Sequence, residues 1–249
     1  HSQTLLHKAE IKNNDMIKLK KVTIHKYKSI QTTQEVDIDP SITTLVGMNE
    51  SGKTSFLTAV AKTNYFNSDP DFEFDITQDY PRNELIDFQH DNKDCDIIEC
   101  EYEISDELIN EIEQELGKGV FKVKSFKYTC PYKSETNTFI GITANIKKYL
   151  EQEIKDYALS KNIKDSILTK TDLREIADIE GAEEDEDLIV FKSRIKNIVD
   201  EAFPNWSNSL EGYIAKTWIK PKMPKFWYFD DYYPLNGKIN INELSNNPP

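Results

Sequence analysis

Eight residues constrain this chain more than any others: Gly47-Met48-Asn49-Glu50-Ser51-Gly52-Lys53-Thr54 fit the pattern G-x-x-x-x-G-K-[ST], the phosphate-binding P-loop. A strand-like run precedes them, Ile42-Thr43-Thr44-Leu45-Val46, and a helix-like run follows, Thr54 to Ala61. That strand–loop–helix context separates a phosphate cradle from a bare glycine turn that happens to hold a lysine. Gly47 and Gly52 let the backbone curl so that successive N–H groups face one anion. The new helix adds its unpaired amides and the positive end of its dipole. Lys53 is placed to reach β- and γ-phosphates, and the Thr54 hydroxyl suits Mg²⁺. A nucleotide such as ATP is the expected ligand.

The rest of the chain supports a globular protein. Its 249 residues hold one large or two small domains, and 38% apolar with 30% charged residues is an ordered, polar-leaning mixture. No apolar run is long enough for a bilayer, and no signal-peptide core opens the chain, so a cytoplasmic protein with no membrane partner is expected. Cys95, Cys100 and Cys130 are few, odd in number and without a Cys-x-x-Cys pair, which fits a reducing compartment. The four histidines are scattered and argue against zinc. A net charge of −13 argues against general polyanion binding. Nucleic acid as a partner is then left to a local patch such as Lys18, Lys20, Lys21, Lys26 and Lys28, whose plainer reading is an edge strand protected by lysines.

Taken in order, residues 1–15 are expected to be a leader or tag-like segment, because Met16 opens a native-looking strand that runs to Ile30. Its apolar parity shifts between Leu19 and Val22, which predicts a β-bulge. Val36 and Ile38 mark a second short strand, and Asp39-Pro40-Ser41 a turn. A polar loop of roughly 63–94 is too long for a plain connection. Ile98, Cys100, Tyr102 and Ile104 alternate with Glu99, Glu101 and Glu103, the pattern of an antiparallel strand with one wet face. Ser105 caps the next helix and Gly117 ends it. Phe121–Tyr132 returns as a strand whose lysines face those glutamates, and Thr138–Thr143 adds another. Residues 16–143 thus form a first lobe.

Helical periodicity then covers 144–222, with helices around Ile146–Ala158, Asp165–Ile179 and Leu188–Ala202. Glu183–Asp187 reads as a solvated acidic loop. Pro204 stops the last helix, Trp206–Trp218 is ambiguous, and Pro221 and Pro224 mark a break. Residues 223–249 begin a further strand region that leaves the architecture incomplete, as in the N-terminal portion of a longer protein.

The loop sequence Gly-x-Asn-x-Ser-Gly-Lys-Thr, with Asn49 inside it, after a basic strand ending Tyr27-Lys28-Ser29-Ile30, resembles the ABC-type ATPase heads of the SMC, RecF and OLD families. Asp79-Tyr80-Pro81-Arg82 and Pro224–Tyr232 are similar to segments of bacterial AAA-family ATPases close to OLD. The resemblance is dense over 16–60 and sparse beyond. It implies an α/β P-loop NTPase of ABC-ATPase-head type, a mixed sheet with antiparallel edge strands plus a helical block. It also implies that Gly47, Asn49, Ser51, Gly52, Lys53, Thr54 and Ser55 wrap the phosphates and Mg²⁺. Glu50 would turn its carboxylate away and leave its backbone N–H to the ligand. Tyr27 or Lys28 would touch adenine or phosphate; the alternative is an ordinary strand-end aromatic and a surface lysine.

A hydrolysing head of this kind needs three later parts: a glutamine near Mg²⁺, a Leu-Ser-Gly-Gly-type segment completing a partner's site, and an apolar strand ending in an acidic pair. Gln78 is the candidate glutamine, although it sits in a loop. No Ser-Gly-Gly occurs. Phe226-Trp227-Tyr228-Phe229-Asp230-Asp231 imitates the third part, with Asp230 on Mg²⁺ and Asp231 as base, but a core strand leading to a turn is the preferred reading.

Two functions follow. In the first, the chain is the ATP-binding portion of an ABC/OLD-like ATPase that dimerises through its heads around ATP-Mg²⁺ and drives or gates a protein effector, in anti-phage defence or DNA handling. In the second it is a nucleotide-gated assembly module that binds ATP with little hydrolysis and docks an effector on the helical block. A GTPase is disfavoured because no Asn-Lys-x-Asp motif occurs. An intrinsic nuclease is disfavoured because the acids are spread over helix faces and loops.

Overall fold

The computed structural model describes residues 16–48, 52–91, 93–134, 136–180 and 185–229. Five strands form one sheet in the order β2-β1-β3-β4-β5: β1 Ile17–Ile24, β2 Gln34–Asp37, β3 Asp96–Ile104, β4 Ser125–Pro131 and β5 Thr138–Ile140. Every neighbouring pair is antiparallel. The expected mixed sheet is therefore corrected: within the described residues, parallel pairing is confined to the isolated bridge between Tyr65 and Phe226.

The bulge read from the β1 sequence is present, as a register shift against β3 between Leu19 and Lys21. Its consequence is visible in the pairing. Ile17 and Leu19 oppose Ile104 and Tyr102, and beyond the bulge Val22 and Ile24 oppose Cys100 and Ile98. Without the extra residue, the second half of β1 would turn its apolar side chains outward. β4 continues the same face, with Phe126, Tyr128 and Cys130 opposite Tyr102, Cys100 and Ile98.

The opposite face carries charge. Lys18 faces Glu103 and Lys21 faces Glu101 across β1–β3, and Lys127 faces Glu101 across β3–β4. The Lys127 ammonium settles diagonally, 2.8 Å from Glu99. Lys124 pairs instead with Asp106, and Lys122 lies before the strand, which begins at Ser125 rather than Phe121.

The apolar face is covered by helices within one continuous core. α1, Lys53–Thr63, lies against β1 and β3 and buries Phe56 and Ala59. The long polar loop is organised, holding a 3-10 turn at Pro70–Phe72, α2 at Ile76–Asp79 and α3 at Leu85–His90. α4, Asp106–Leu116, is capped by the Ser105 hydroxyl and ended by Gly117, as its sequence predicts.

The helical block follows as α5 Ile146–Glu153, α6 Lys161–Leu168, a 3-10 turn at Leu173–Ile176 and α7 Glu186–Glu201. The acidic run is more than a loop. Asp185 caps α7, and Glu186 and Asp187 occupy its first turn, where the helix dipole favours them; Glu183 and Glu184 lie outside the described residues. The ambiguous stretch is helical: α8 Ser209–Ile214, a π-helical turn Ala215–Ile219 and α9 Lys220–Lys222. Pro221 sits inside α9 rather than breaking it. The widened π turn brings the Lys220 amide to the Ala215 carbonyl and accommodates a ring that cannot donate. The break comes only after Met223.

Candidate functional site

α1 starts in the way a phosphate loop requires. Its N-cap is Gly52 at φ +89°, a left-handed conformation that glycine adopts without strain. A Cβ at that position would stand 3.2 Å from Ile30 Cγ1, so space as well as torsion selects glycine. No side chain caps the helix, and its first turn contains no acidic residue. The opening amides are thus left to an external acceptor in a region of positive potential. Phe56 N–H already bonds the Gly52 carbonyl at 2.8 Å, so the helix is wound from its first turn.

The side chains divide by direction. Lys53 curls back over the loop and donates to Gly47 O at 2.8 Å and Met48 O at 2.6 Å. Thr54 is exposed. Ser55 is buried, and its hydroxyl lies 3.0 Å from that of Ser29. Asn49, Glu50 and Ser51 lie outside the described residues.

Residues 42–46 differ from expectation. They form no strand, and Ile42 and Val46 are 78% and 87% exposed. β-propensity alone does not make a strand; a ladder partner must be present, and none of the described residues supplies one. The approach is fixed instead by an Asx turn, in which Asp39 Oδ1 accepts from Ser41 N at 2.8 Å and Ile42 N at 3.1 Å.

Tyr27 pairs with Ile30 across a two-residue turn of Lys28 and Ser29, closed by Tyr27 N to Ile30 O at 2.9 Å and Ile30 N to Tyr27 O at 2.8 Å. The Tyr27 ring is fully buried and meets Phe74 edge-on, so it offers no face to an adenine. Its hydroxyl makes no well-formed hydrogen bond although Thr58 and Asp79 stand beside it, and burial pushes its pKa up. Lys28 is exposed, at φ +50°, with its ammonium 3.7 Å from Asp79.

Gln78 is on α2 rather than in a loop, and its amide bonds the capping Asp75 carboxylate at 2.9 Å. Phe226 adds a short parallel bridge beside Tyr65, but Trp227 and Phe229 are 62% and 74% exposed, so the preferred core strand is not formed. Asp230 and Asp231 lie outside the described residues. Sequence reading missed Asp79 as a site neighbour. Its signal was an acid inside an aromatic, proline-bounded segment, which gives no hint of full burial.

The described part of the motif is a helix capped by Gly52 with Lys53 at its first position, packed on the sheet and against the Tyr27–Ile30 turn, the arrangement in which a P-loop presents its helix start. The model of the AAA ATPase domain family matches residues 17–247, and the chain belongs to that family of nucleotide-binding ATPases. Comparison with curated proteins gave no match. No described helix is long and apolar enough to cross a membrane.

Proposed function

We propose that Gly47–Thr54 binds the triphosphate of ATP with Mg²⁺, and that the chain is the ATP-binding portion of an ABC/OLD-like ATPase. The observation that carries this is the uncapped, glycine-initiated start of α1 with Lys53 folded over the loop. The donor set fits the ligand: first-turn amides and an ammonium for phosphate oxygens, and an exposed Thr54 hydroxyl for the metal. Bound Mg²⁺ would supply charge neutralisation across the β- and γ-phosphates.

Lys53 holds the triphosphate electrostatically, and Gly47, Asn49, Glu50, Ser51, Gly52 and Ser55 contribute backbone donors. Of the flanking pair, Lys28 is the side chain exposed enough to reach a ligand, and Tyr27 supports the turn from beneath. Head-to-head assembly, gating of a protein effector, a cytoplasmic setting and a defence or DNA-handling role belong to this reading by resemblance.

The test is titration of the purified chain with a fluorescent ATP analogue with and without Mg²⁺, alongside phosphate release. Saturable, Mg²⁺-dependent binding that is about 10–100-fold weaker in Lys53→Ala is expected. Equal binding by both proteins would overturn the reading.

A further inference from the structure

The helix that begins at the phosphate loop is gripped at both ends by one set of contacts, and a single buried carboxylate joins them. Asp79, at the end of α2, is fully buried. Its Oδ2 accepts from Lys62 Nζ at 2.7 Å and from the Asp75 amide at 3.0 Å. Lys62 belongs to the last turn of α1, and its side chain is only 8% exposed. The backbone carbonyl of the same Asp79 accepts the Lys28 amide at 2.6 Å, and Oδ1 faces the Lys28 ammonium at 3.7 Å.

Lys28 needs such an anchor. A non-glycine residue at φ +50° is held against its own torsional preference only where its surroundings fix it. The turn it occupies then acts on the other end of α1. Ser29 Oγ meets Ser55 Oγ at 3.0 Å, and Ile30 fills the space beside Gly52. Lys53 and Ser55 are nine and seven residues before Lys62, a separation of roughly 10–14 Å along the helix at 1.5 Å per residue. Asp79 therefore fixes the far end of α1 directly and the phosphate end through the turn.

We propose that Asp79 is a positioning residue for the phosphate loop, acting through the Tyr27–Ile30 turn on Gly52 and Ser55. Its effect on ligand affinity rests on the nucleotide reading above; its effect on loop position does not. A charged pair this deep contributes little net stability against an apolar pair of similar shape, so its value lies in geometry.

Three variants separate the roles. Asp79→Asn leaves the Lys62 ammonium buried without its counter-charge and lowers stability as well. Asp79→Leu combined with Lys62→Met removes both charges and keeps the packing. Ser29→Ala, at an exposed position, removes the polar one of the two contacts between the turn and α1 and leaves Ile30 beside Gly52. Hydrogen exchange of the Phe56 amide, which bonds the Gly52 carbonyl, with 98–104 as an internal reference, reads loop position, and the fluorescent ATP analogue reads affinity.

Exchange at Phe56 is expected to accelerate about tenfold in the double variant and about threefold in Ser29→Ala, with 98–104 unchanged and affinity weakened by similar factors, the scales of one charge-assisted and one neutral hydrogen bond. Unchanged exchange at Phe56 in a folded double variant would overturn the proposal, as would its failure to fold, which would make Asp79 a global structural residue. If the wild-type chain binds no nucleotide, the nucleotide reading falls while the exchange comparison still decides whether Asp79 positions the loop.

Discussion

The Lys53 ammonium lies 2.6 Å from the Met48 carbonyl oxygen, closing the phosphate loop on itself. A ligand phosphate must displace this contact and the one to Gly47. Removing the amine should therefore leave the free protein almost as stable and cost it the triphosphate. Lys53→Ala is expected to weaken ATP binding by about 10–100-fold, the value of one or two charge-assisted bonds. Calorimetric titration measures the binding, and the melting temperature of the free protein should stay within about 2 °C.

Asp172 joins the 3-10 turn at Leu173–Ile176 to α8. Its carboxylate accepts from the Arg174 amide and Nε at 2.8 Å, and from the Ser209 amide and hydroxyl at 2.9 Å. Burial opposes ionisation, but the Arg174 and Ser209 hydrogen bonds outweigh it and hold the carboxyl well below its ordinary range. A depressed folded-state pKa gives stability that is present above the unfolded value, about 3.9, and is lost as pH falls toward the folded one. Asp172→Asn should cost about 1–2 kcal/mol at pH 7, allowing for solvent screening of the half-exposed Arg174. The gap should narrow below about pH 4. Denaturant melts at pH 7 and pH 3 check it; a constant gap would contradict the assignment.

Gly117 ends α4 at φ +105° and ψ 151°, a region that essentially only glycine occupies. Gly117→Ala should destabilise by about 1–3 kcal/mol. The neighbouring Gln152 side chain also crowds an added Cβ, but its flexible end can move, so backbone strain sets the scale. A second substitution, Gln152→Ala, should rescue little of the loss in a denaturant melt.

Ile42–Val46 is rich in β-forming residues, joins no strand and exposes Ile42 and Val46, the kind of segment that templates unwanted strand pairing. Val46→Lys should slow aggregation of the isolated chain on warming, measured by light scattering. Folding stability should change by no more than about 0.5 kcal/mol, because the site is exposed.

The features legible in the sequence were those fixed by local chemistry. The Leu19–Val22 parity shift announced the bulge, the Glu99–Glu103 alternation announced the wet face, and Ser105 and Gly117 bounded α4. Gly52 and Lys53 announced how α1 begins. What stayed hidden depended on distant partners. Ile42–Val46 has strand propensity but no ladder among the described residues, and Trp206–Trp218 mixes aromatic, glycine and β-branched residues whose helical state is decided by packing against α7. Asp79 was indistinguishable from a surface acid until Lys62, seventeen residues earlier, was seen to reach it.

The Asn64 side chain donates to the Pro224 carbonyl at 2.8 Å, while Phe226 N bonds Asn64 O and Phe66 N bonds Phe226 O, a clasp between residues 160 positions apart. Contacts of that span form late, because all the intervening chain must first be ordered to bring their ends together. During synthesis, the end of α1 leaves the ribosome long before its counterpart exists. The last turn of α1 therefore lacks these three bonds until some 160 further residues have been made.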